Sequence, residues 1–384
     1  MIDYSASGLQ QKLTFELLNR QRQSINALDG VQGFTRERNI HTTPRVGGSL
    51  DIALKQSIDL LKIAIRPWIT VSYNGEEEHY PLMTGIPLVT GESRMATGAK
   101  LSLKLVDYTT PLDVPLGRHY TVPPGTIVTE RVRAILLERG VLAPNIKESA
   151  ASINAGMFWS ATETWRKVIN ELLKSIGYSA IWADDWGQLQ VQPYVRPADR
   201  PVDPDLGFIH GETCTYRPEF TIEHDVSGAI NHTLITARMP WEHVEPVIGE
   251  AWLPANHPYS YQSRDGLEVP YTEADVDLGI EVTPSSDWED PTDATIAGYR
   301  ALIQPHADAY AERLLIERSN PTRTFLVTNR WRPYDLHQVT RLFAPDRGLA
   351  TAVDTRVSII KDSLTYQSGG TVKMATTLQE VLSD

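Results

Sequence analysis

The chain has 384 residues, 41% of them apolar, and its 36 basic and 48 acidic residues give a net charge of −12. That length suits two or three domains with full apolar cores. The negative balance argues against a protein that grips nucleic acid by neutralising phosphates, while it suits a soluble surface or a conduit past which DNA slides. No apolar run nears the ~20 residues that span a bilayer, the N-terminus has no secretory signal, and the lone Cys214 rules out an intrachain disulfide or a cysteine-based zinc site.

Residues 1–113 read as a first small β-barrel domain. Leu13, Phe15 and Leu17 alternate with Thr14 and Glu16, as do Leu101, Leu103 and Leu105 with Ser102 and Lys104. The run "PWITVSYNGEEEHYPLMTG" is a hairpin turning at Asn74-Gly75, because both positions tolerate positive φ. Residues 114–204 read as an α+β helix–hairpin module. Val128, Val132, Ile135 and Leu136 mark a first helix that stops at Gly140. Trp165, Val168, Ile169, Leu172, Leu173 and Ile176 stripe a second helix, with Ser160 and Glu163 as a capping box and Gly177 at its C-terminal end. The stretch "SAIWADDWGQLQVQPY" then forms a hairpin turning at Asp185 and Gly187. In it Leu189 and Val191 face the helix, and Gln188, Gln190 and Gln192 face water. Pro193, Pro197, Pro201 and Pro204 mark a linker.

Residues 205–245 and 317–384 read as a second small β-barrel domain, interrupted by a loop-plus-helix insertion at 246–316. Pro240 to Pro291 is expected to be irregular and rich in Trp, Pro and acids. Pro305 should kink or split the helix that follows. The last hairpin turns at Gly369-Gly370, and its pattern echoes the hairpin over 81–107. The fold class is therefore α+β, predominantly antiparallel β: two small β-barrel domains, an α+β module between them and an insertion in the second barrel.

No motif carries chemistry. A Walker A loop, GxGxxG, HExxH and GxSxG are absent from the sequence, so no catalytic, metal or cofactor residue is assigned and the chain is read as a non-enzyme. Glu76 to His79 read as an exposed hairpin arm, since neighbours in a strand point to opposite faces. Asp275 and Asp277 share a strand face but lack the rest of a calcium loop. Asn231-His232-Thr233 matches a glycosylation acceptor yet reads as part of a strand. Trp241, Trp252 and Tyr259 in the insertion are the candidate partner surface, for protein or for glycan.

Three stretches carry a resemblance: "TWRKVINELLKSIGYSAIWADDWGQLQVQPY", "VSGAINHTLITAR" and "TRVSIIKDSLTYQSGGTVKMATTLQEV". In this order the chain resembles the baseplate or tail-tip hub proteins of tailed phages, whose relatives include hubs of contractile injection systems and the N-terminal part of tail-associated lysins. The resemblance implies a homotrimer in which two barrels per subunit form a pseudo-sixfold ring around the DNA channel. It also implies a tail tube or distal tail protein above, a fibre or spike protein below, a tape measure protein nearby, and DNA only in passage. The implied location is the virion tail tip, after synthesis in the bacterial cytoplasm. Many hubs continue into a wall-degrading or fibre-like domain; this sequence stops after the final hairpin, so that domain is expected to be absent or on another chain. A receptor- or glycan-binding tail-tip module using the aromatic insertion is the alternative.

Overall fold

The computed structural model describes residues 2–42, 44–54, 59–95, 98–141, 143–153, 156–209, 216–224, 229–239, 241, 244–257, 259–276, 291–319, 323–345 and 352–381. The first region contributes β1 (Gln10–Leu18), β2 (Ser24–Ala27), β3 (Val31–Asn39), β4 (Val46–Leu54), β5 (Ala64–Tyr73), β6 (Glu76–Pro81), β7 (Ile86–Met95) and β8 (Gly98–Val106). The alternating positions of β1 and β8 are buried as their period requires. Asn74 and Gly75 join β5 to β6 at φ 50° and 83°, the left-handed pair that a two-residue hairpin turn needs.

The module holds β9 (Tyr120–Val122), α1 (Val128–Glu138), β10 (Asn145–Ile146), β11 (Met157–Trp159), α2 (Trp165–Ser175), β12 (Trp182–Ala183) and β13 (Leu189–Val191). The apolar stripes of α1 and α2 pack together in one cluster with β13. Each such aliphatic side chain contributes roughly 1.5–3 kcal/mol on burial. Gly177 ends α2 at φ 72°, a conformation that costs a residue with Cβ more than it costs glycine. The helix start differs from the capping-box expectation. Thr164, not Ser160, is the cap, and its hydroxyl accepts the Lys167 amide at 3.3 Å, while Ser160 Oγ faces Thr162 and Glu163 holds Lys167 Nζ. Gln190 also departs from expectation. It is buried because β13 is the central strand, between β10 and β12, and its amide is satisfied by Asn145 Nδ2 and Asp184 Oδ2.

The last region contains β14 (Phe208–Ile209), β15 (Tyr216–His224), β16 (His232–Ala237), β17 (Val247–Trp252), β18 (Pro270–Val276), α3 (Asp293–Ser319), β19 (Arg323–Asn329), β20 (Val339–Ala344), β21 (Val353–Gln367) and β22 (Lys373–Glu380). The stretch expected to be irregular thus holds two strands, β17 and β18, with residues 277–290 and the Asp277 of the calcium reading outside the described residues. α3 is one helix through Pro305. The proline sits on the exposed side, where water can take the carbonyl it leaves unpaired. β16, within the 205–245 stretch assigned to the second barrel, pairs with β17 and β18 in a three-stranded sheet that rests on α3. Asn231 is fully buried, its side chain bridging Leu267 O and the Val269 amide, so the sequon is structural.

The sheets are mostly antiparallel, and one of them crosses the whole chain. Its path runs β7-β8-β4-β3-β21-β22-β19-β15, with β20 and β14 attached through the N-terminal half of β21. Across an irregularity at Ile359/Lys361, β21 changes partner from β20 to β3. A second sheet, β2-β1-β5-β6, belongs wholly to the first region. The first and last β regions share a single apolar cluster that includes Phe15, Phe34 and Leu103 with Phe325, Val357 and Leu378.

Candidate functional site: the charged junction and the exposed edges

Phe34, Arg36 and Arg38 alternate along β3 and point to its inner face. Phe34 joins the core, but the next two positions place guanidiniums there, Arg36 being only 1% exposed. β21 answers with Asp362, which is fully buried. Arg36 Nη2 donates to Asp362 Oδ1 at 2.8 Å, and Arg38 donates from Nε and Nη2 to Oδ2 at 2.8 and 2.6 Å. Arg36 Nη1 also reaches Leu82 O, and Arg38 Nη2 reaches Tyr334 O, both at 3.1 Å. Burial pushes the Asp362 carboxyl up, but the two guanidiniums outweigh it and hold the group below the usual carboxylate range. Such a triad adds little net stability over an apolar core, but it specifies pairing. A one-residue slip of β21 against β3 would turn Asp362 to the other face.

The module hairpin closes the third side of this junction. Thr84 Oγ1 donates to Asp185 O at 2.9 Å, Arg66 Nη2 to Trp186 O at 3.2 Å and Arg22 Nη1 to Gly187 O at 2.8 Å. Trp186 meets Trp68 edge-on at 5.4 Å, with the Arg66 guanidinium 4.9 Å over its ring. Gly187 lies at φ 76°, and a Cβ there would come within 3.0 Å of Thr84 Cβ and 3.1 Å of the Tyr108 ring. Glycine is therefore required both by the turn and by the docking. The Asp185 carboxylate is 3.3 Å from Arg38 Nη1, so Arg38 ties the hairpin to both β regions. Beside them opens a cavity of about 450 Å³ walled by Trp186, Trp331 and Tyr334.

Burial pushes the Asp185 carboxyl up to about 6, with the Arg38 and Arg36 guanidiniums pulling it back and Asp335 and Asp362 adding to the rise. The folded state thus keeps this proton to higher pH than the unfolded chain does. Stability is greatest below the unfolded value near 4 and falls as pH rises through about 6. Asp185→Asn should leave stability unchanged at pH 4 and raise it at pH 8 by about 1–2 kcal/mol, a figure discounted for the partial exposure of the side chain. Urea unfolding at the two pH values checks this, and equal effects at both would refute it.

The other sequence-selected residues lie apart from the junction. Asn74-Gly75 and Gly369-Gly370 form hairpin tips, Gly369 at φ 76°. Trp241 is 6% exposed and packs edge-on against Tyr299 of α3 at 5.3 Å, so it is core. Tyr259 is half-buried against Leu253 and Leu315. Trp252 is 43% exposed and stacks on the buried His232 at 3.7 Å, its Nε1 donating to Glu250. The three therefore do not form one patch. Arg36, Arg38 and Asp362 were not singled out from the sequence; the available signal was a charged pair on the inward phase of a strand that begins with Phe34. Among the described residues no three His, Cys, Asp or Glu side chains converge as a metal site, and no helix is long and apolar enough to cross a membrane.

No family model and no curated protein matches the sequence. Solved structures do match. The tail protein from Neisseria meningitidis MC58 superposes with a TM-score of 0.63 at 13% identity, over 96% of each chain. The 43 kDa tail protein of prophage MuSo2 from Shewanella oneidensis gives 0.57 at 14%, over 95% of this chain and 98% of that one. The chain has a phage tail-protein fold. The same tail-protein fold superposes on a chain of the Francisella PdpA-VgrG complex with a TM-score of 0.57 at 11% identity, over 99% of this chain and 60% of that one.

Proposed function

We propose that the chain is a structural hub of a phage-type tail. Three copies would form a ring that joins a sixfold tube to a threefold tip around the DNA channel. The observation that carries this reading is the β3–β21 joint. It links two runs of four strands, β7-β8-β4-β3 and β21-β22-β19-β15, edge to edge within one chain. Repeating that joint between chains, β15 of one copy on β7 of the next, would build a closed barrel of 24 strands (3 × 8) with six four-stranded segments. Both free edges support it. Val89 pairs with the buried Leu103 and Ile222 with the buried Phe325, so each is core-facing, yet they are 53% and 45% exposed. Edges left this way invite a neighbouring strand. Exposed Lys100 and Lys104 lie beside the β7 edge, which itself carries Glu92, and β15 carries exposed Glu219 and Glu223 beside Arg217, so both edges are mixed in charge with opposite net sign.

In this reading the module braces the joint and carries no catalysis, and the acidic surface keeps DNA from adhering in transit. Contact with a neighbouring tail component falls to Trp252 on the outer face of the three-stranded sheet. Light scattering should give a mass near 129 kDa (3 × 42.9 kDa). Val89→Asp, which buries a charge only if the edge is covered, should reduce it to 42.9 kDa with an unchanged circular dichroism spectrum. A parent protein that stays monomeric up to the highest soluble concentration would sink the ring of free chains.

A further inference from the structure

The cavity of about 450 Å³ beside the junction has aromatic walls and unanswered negative charge. Its size is that of an ordinary ligand cleft. Tyr80, Trp186, Trp331 and Tyr334 supply flat faces. The Tyr80 and Trp331 rings lie 5.3 Å apart, and Trp186 stays 52% exposed although Arg66 lies over its ring. The charged lining is Arg36, Arg38, Asp184, Asp185 and Asp335. Both guanidiniums are committed to Asp362. Asp184 accepts from the Trp186 and Gln188 amides and from Gln190 Nε2. The other two carboxylates are left over. Asp335 is exposed, and its carboxylate makes no hydrogen bond or ion pair among the described residues. The Asp185 carboxylate has one partner among them, Arg38 Nη1 at 3.3 Å from Oδ2, although its side chain is only 25% exposed. A carboxylate so enclosed ordinarily accepts several hydrogen bonds. Arg36, 1% exposed and on the same wall, keeps its Nε without an acceptor.

Asp185 is held against stability. Its replacement by Asn is expected to strengthen the fold at pH 8, the pattern of a group kept for binding. A second cavity, of about 530 Å³, continues the first across Tyr80 and Pro333, which line both. There Arg332 stands among Asp3, Glu78, Asp203 and Asp205. Arg332 donates to Leu206 O at 3.0 Å and Gly207 O at 3.4 Å. Asp3, Glu78 and Asp203 accept hydrogen bonds from within the chain. The Asp205 carboxylate makes none among the described residues. Tyr4, Leu206 and Ile209 give this cavity its apolar wall. The two cavities form one groove, aromatic and apolar on its sides, whose uncommitted charge is negative.

We propose that this groove binds an extended segment of another protein through one arginine side chain, seated between Trp186 and the Asp185 and Asp335 carboxylates. A guanidinium stacks on an indole face and offers its planar N–H fork to carboxylates, so one residue answers both the aromatic wall and the free charge. A main-chain carbonyl of the segment supplies the acceptor that Arg36 Nε lacks. Residues beside the arginine fill the second cavity. Another copy of this chain, at net charge −12, is a poorer match for an acidic groove than a basic segment is. The groove forms within one chain, so its test is separate from that of the ring.

The test is a ligand-observed NMR titration of the full chain with the blocked peptide acetyl-Gly-Arg-Gly-amide at pH 8 and fixed ionic strength. Saturable binding is expected with a Kd of about 1 mM, the range open to one seated side chain. The lysine counterpart, which has the charge without the fork, should bind about threefold more weakly, and the citrulline counterpart, which has the plane without the charge, about tenfold more weakly. Asp335→Asn and Asp185→Asn should each weaken the arginine peptide by about three- to tenfold. Neither variant should unfold at lower urea than the parent, which separates lost recognition from lost structure. Free arginine, which brings its own α-carboxylate to an acidic groove, should bind less well than the peptide. Tighter binding of free arginine would make this an amino-acid site and overturn the protein partner, and equal binding of the lysine peptide would overturn the arginine. The whole proposal is overturned if the citrulline peptide matches the arginine peptide, if both Asn variants bind as the parent does, or if no saturation appears below about 50 mM.

Discussion

Asp362→Ala is expected to destabilise the protein by about 3–5 kcal/mol, more than any exposed-charge substitution would. The substitution strands two guanidiniums in the interior. Arg36 and Arg38 are both buried on the inner face of β3, and Asp362 is the carboxylate shared by three of their hydrogen bonds. Leu82 O and Tyr334 O satisfy single N–H groups but supply no charge. The loss should fall on the β3–β21 joint, so amides of those strands should lose hydrogen-exchange protection first. Replacing all three charges by apolar residues of similar size should recover most of the stability, because the ions are costly to desolvate. The same triple change should weaken the register, and with it the ring proposed from that joint. A loss below about 1 kcal/mol in the unfolding free energy from urea titration of Asp362→Ala would mean that the triad is solvated and does not hold the joint.

Gly249→Val is expected to cost about 3 kcal/mol or more, and to do so within the insertion alone. Gly249 lies on β17 where α3 crosses closest. A Cβ at that position would overlap the Ala307 carbonyl and come within 2.9 Å of Ala307 Cβ. Ala307 and Ala311 are both fully buried, so small residues on the helix and a glycine on the strand together set the spacing. A β-branched side chain must push α3 outward and uncover Ile303 and Trp241, which pack in the same cluster. Limited proteolysis should then cut within β17 or α3 while the β3–β21 joint stays protected. Gly298→Ala in the same helix is the control. Nothing lies within 4 Å of its would-be Cβ, so it should stabilise by about 0.5–1 kcal/mol through helix propensity. If Gly249→Val were tolerated as well as Gly298→Ala, the close approach of strand and helix would be refuted.

Local patterns determined much of this protein. Alternation placed Leu13, Phe15 and Leu17 inside. Asn74-Gly75 and Gly187 announced turns whose φ values only glycine, or asparagine in the first case, adopts cheaply. The stripe on α2 marked a buried helix face with Gly177 at its end. Each of these is decided within a few residues by backbone sterics or by side-chain period, so the sequence carries the information on its own. Only the tertiary structure decided which strands meet. Arg36 and Asp362 are 326 residues apart, and nothing in "FTRER" or "IIKDSL" names the other as partner. β16 has the alternation of any half-buried strand and is taken by β17 and β18 rather than by the long sheet. Trp241 resembles a surface aromatic until α3 covers it. Strand pairing and burial depend on contacts between distant segments, whose geometry exists only once the core has formed; the arginines on the inward phase of β3 acquire a meaning when β21 brings Asp362 against them.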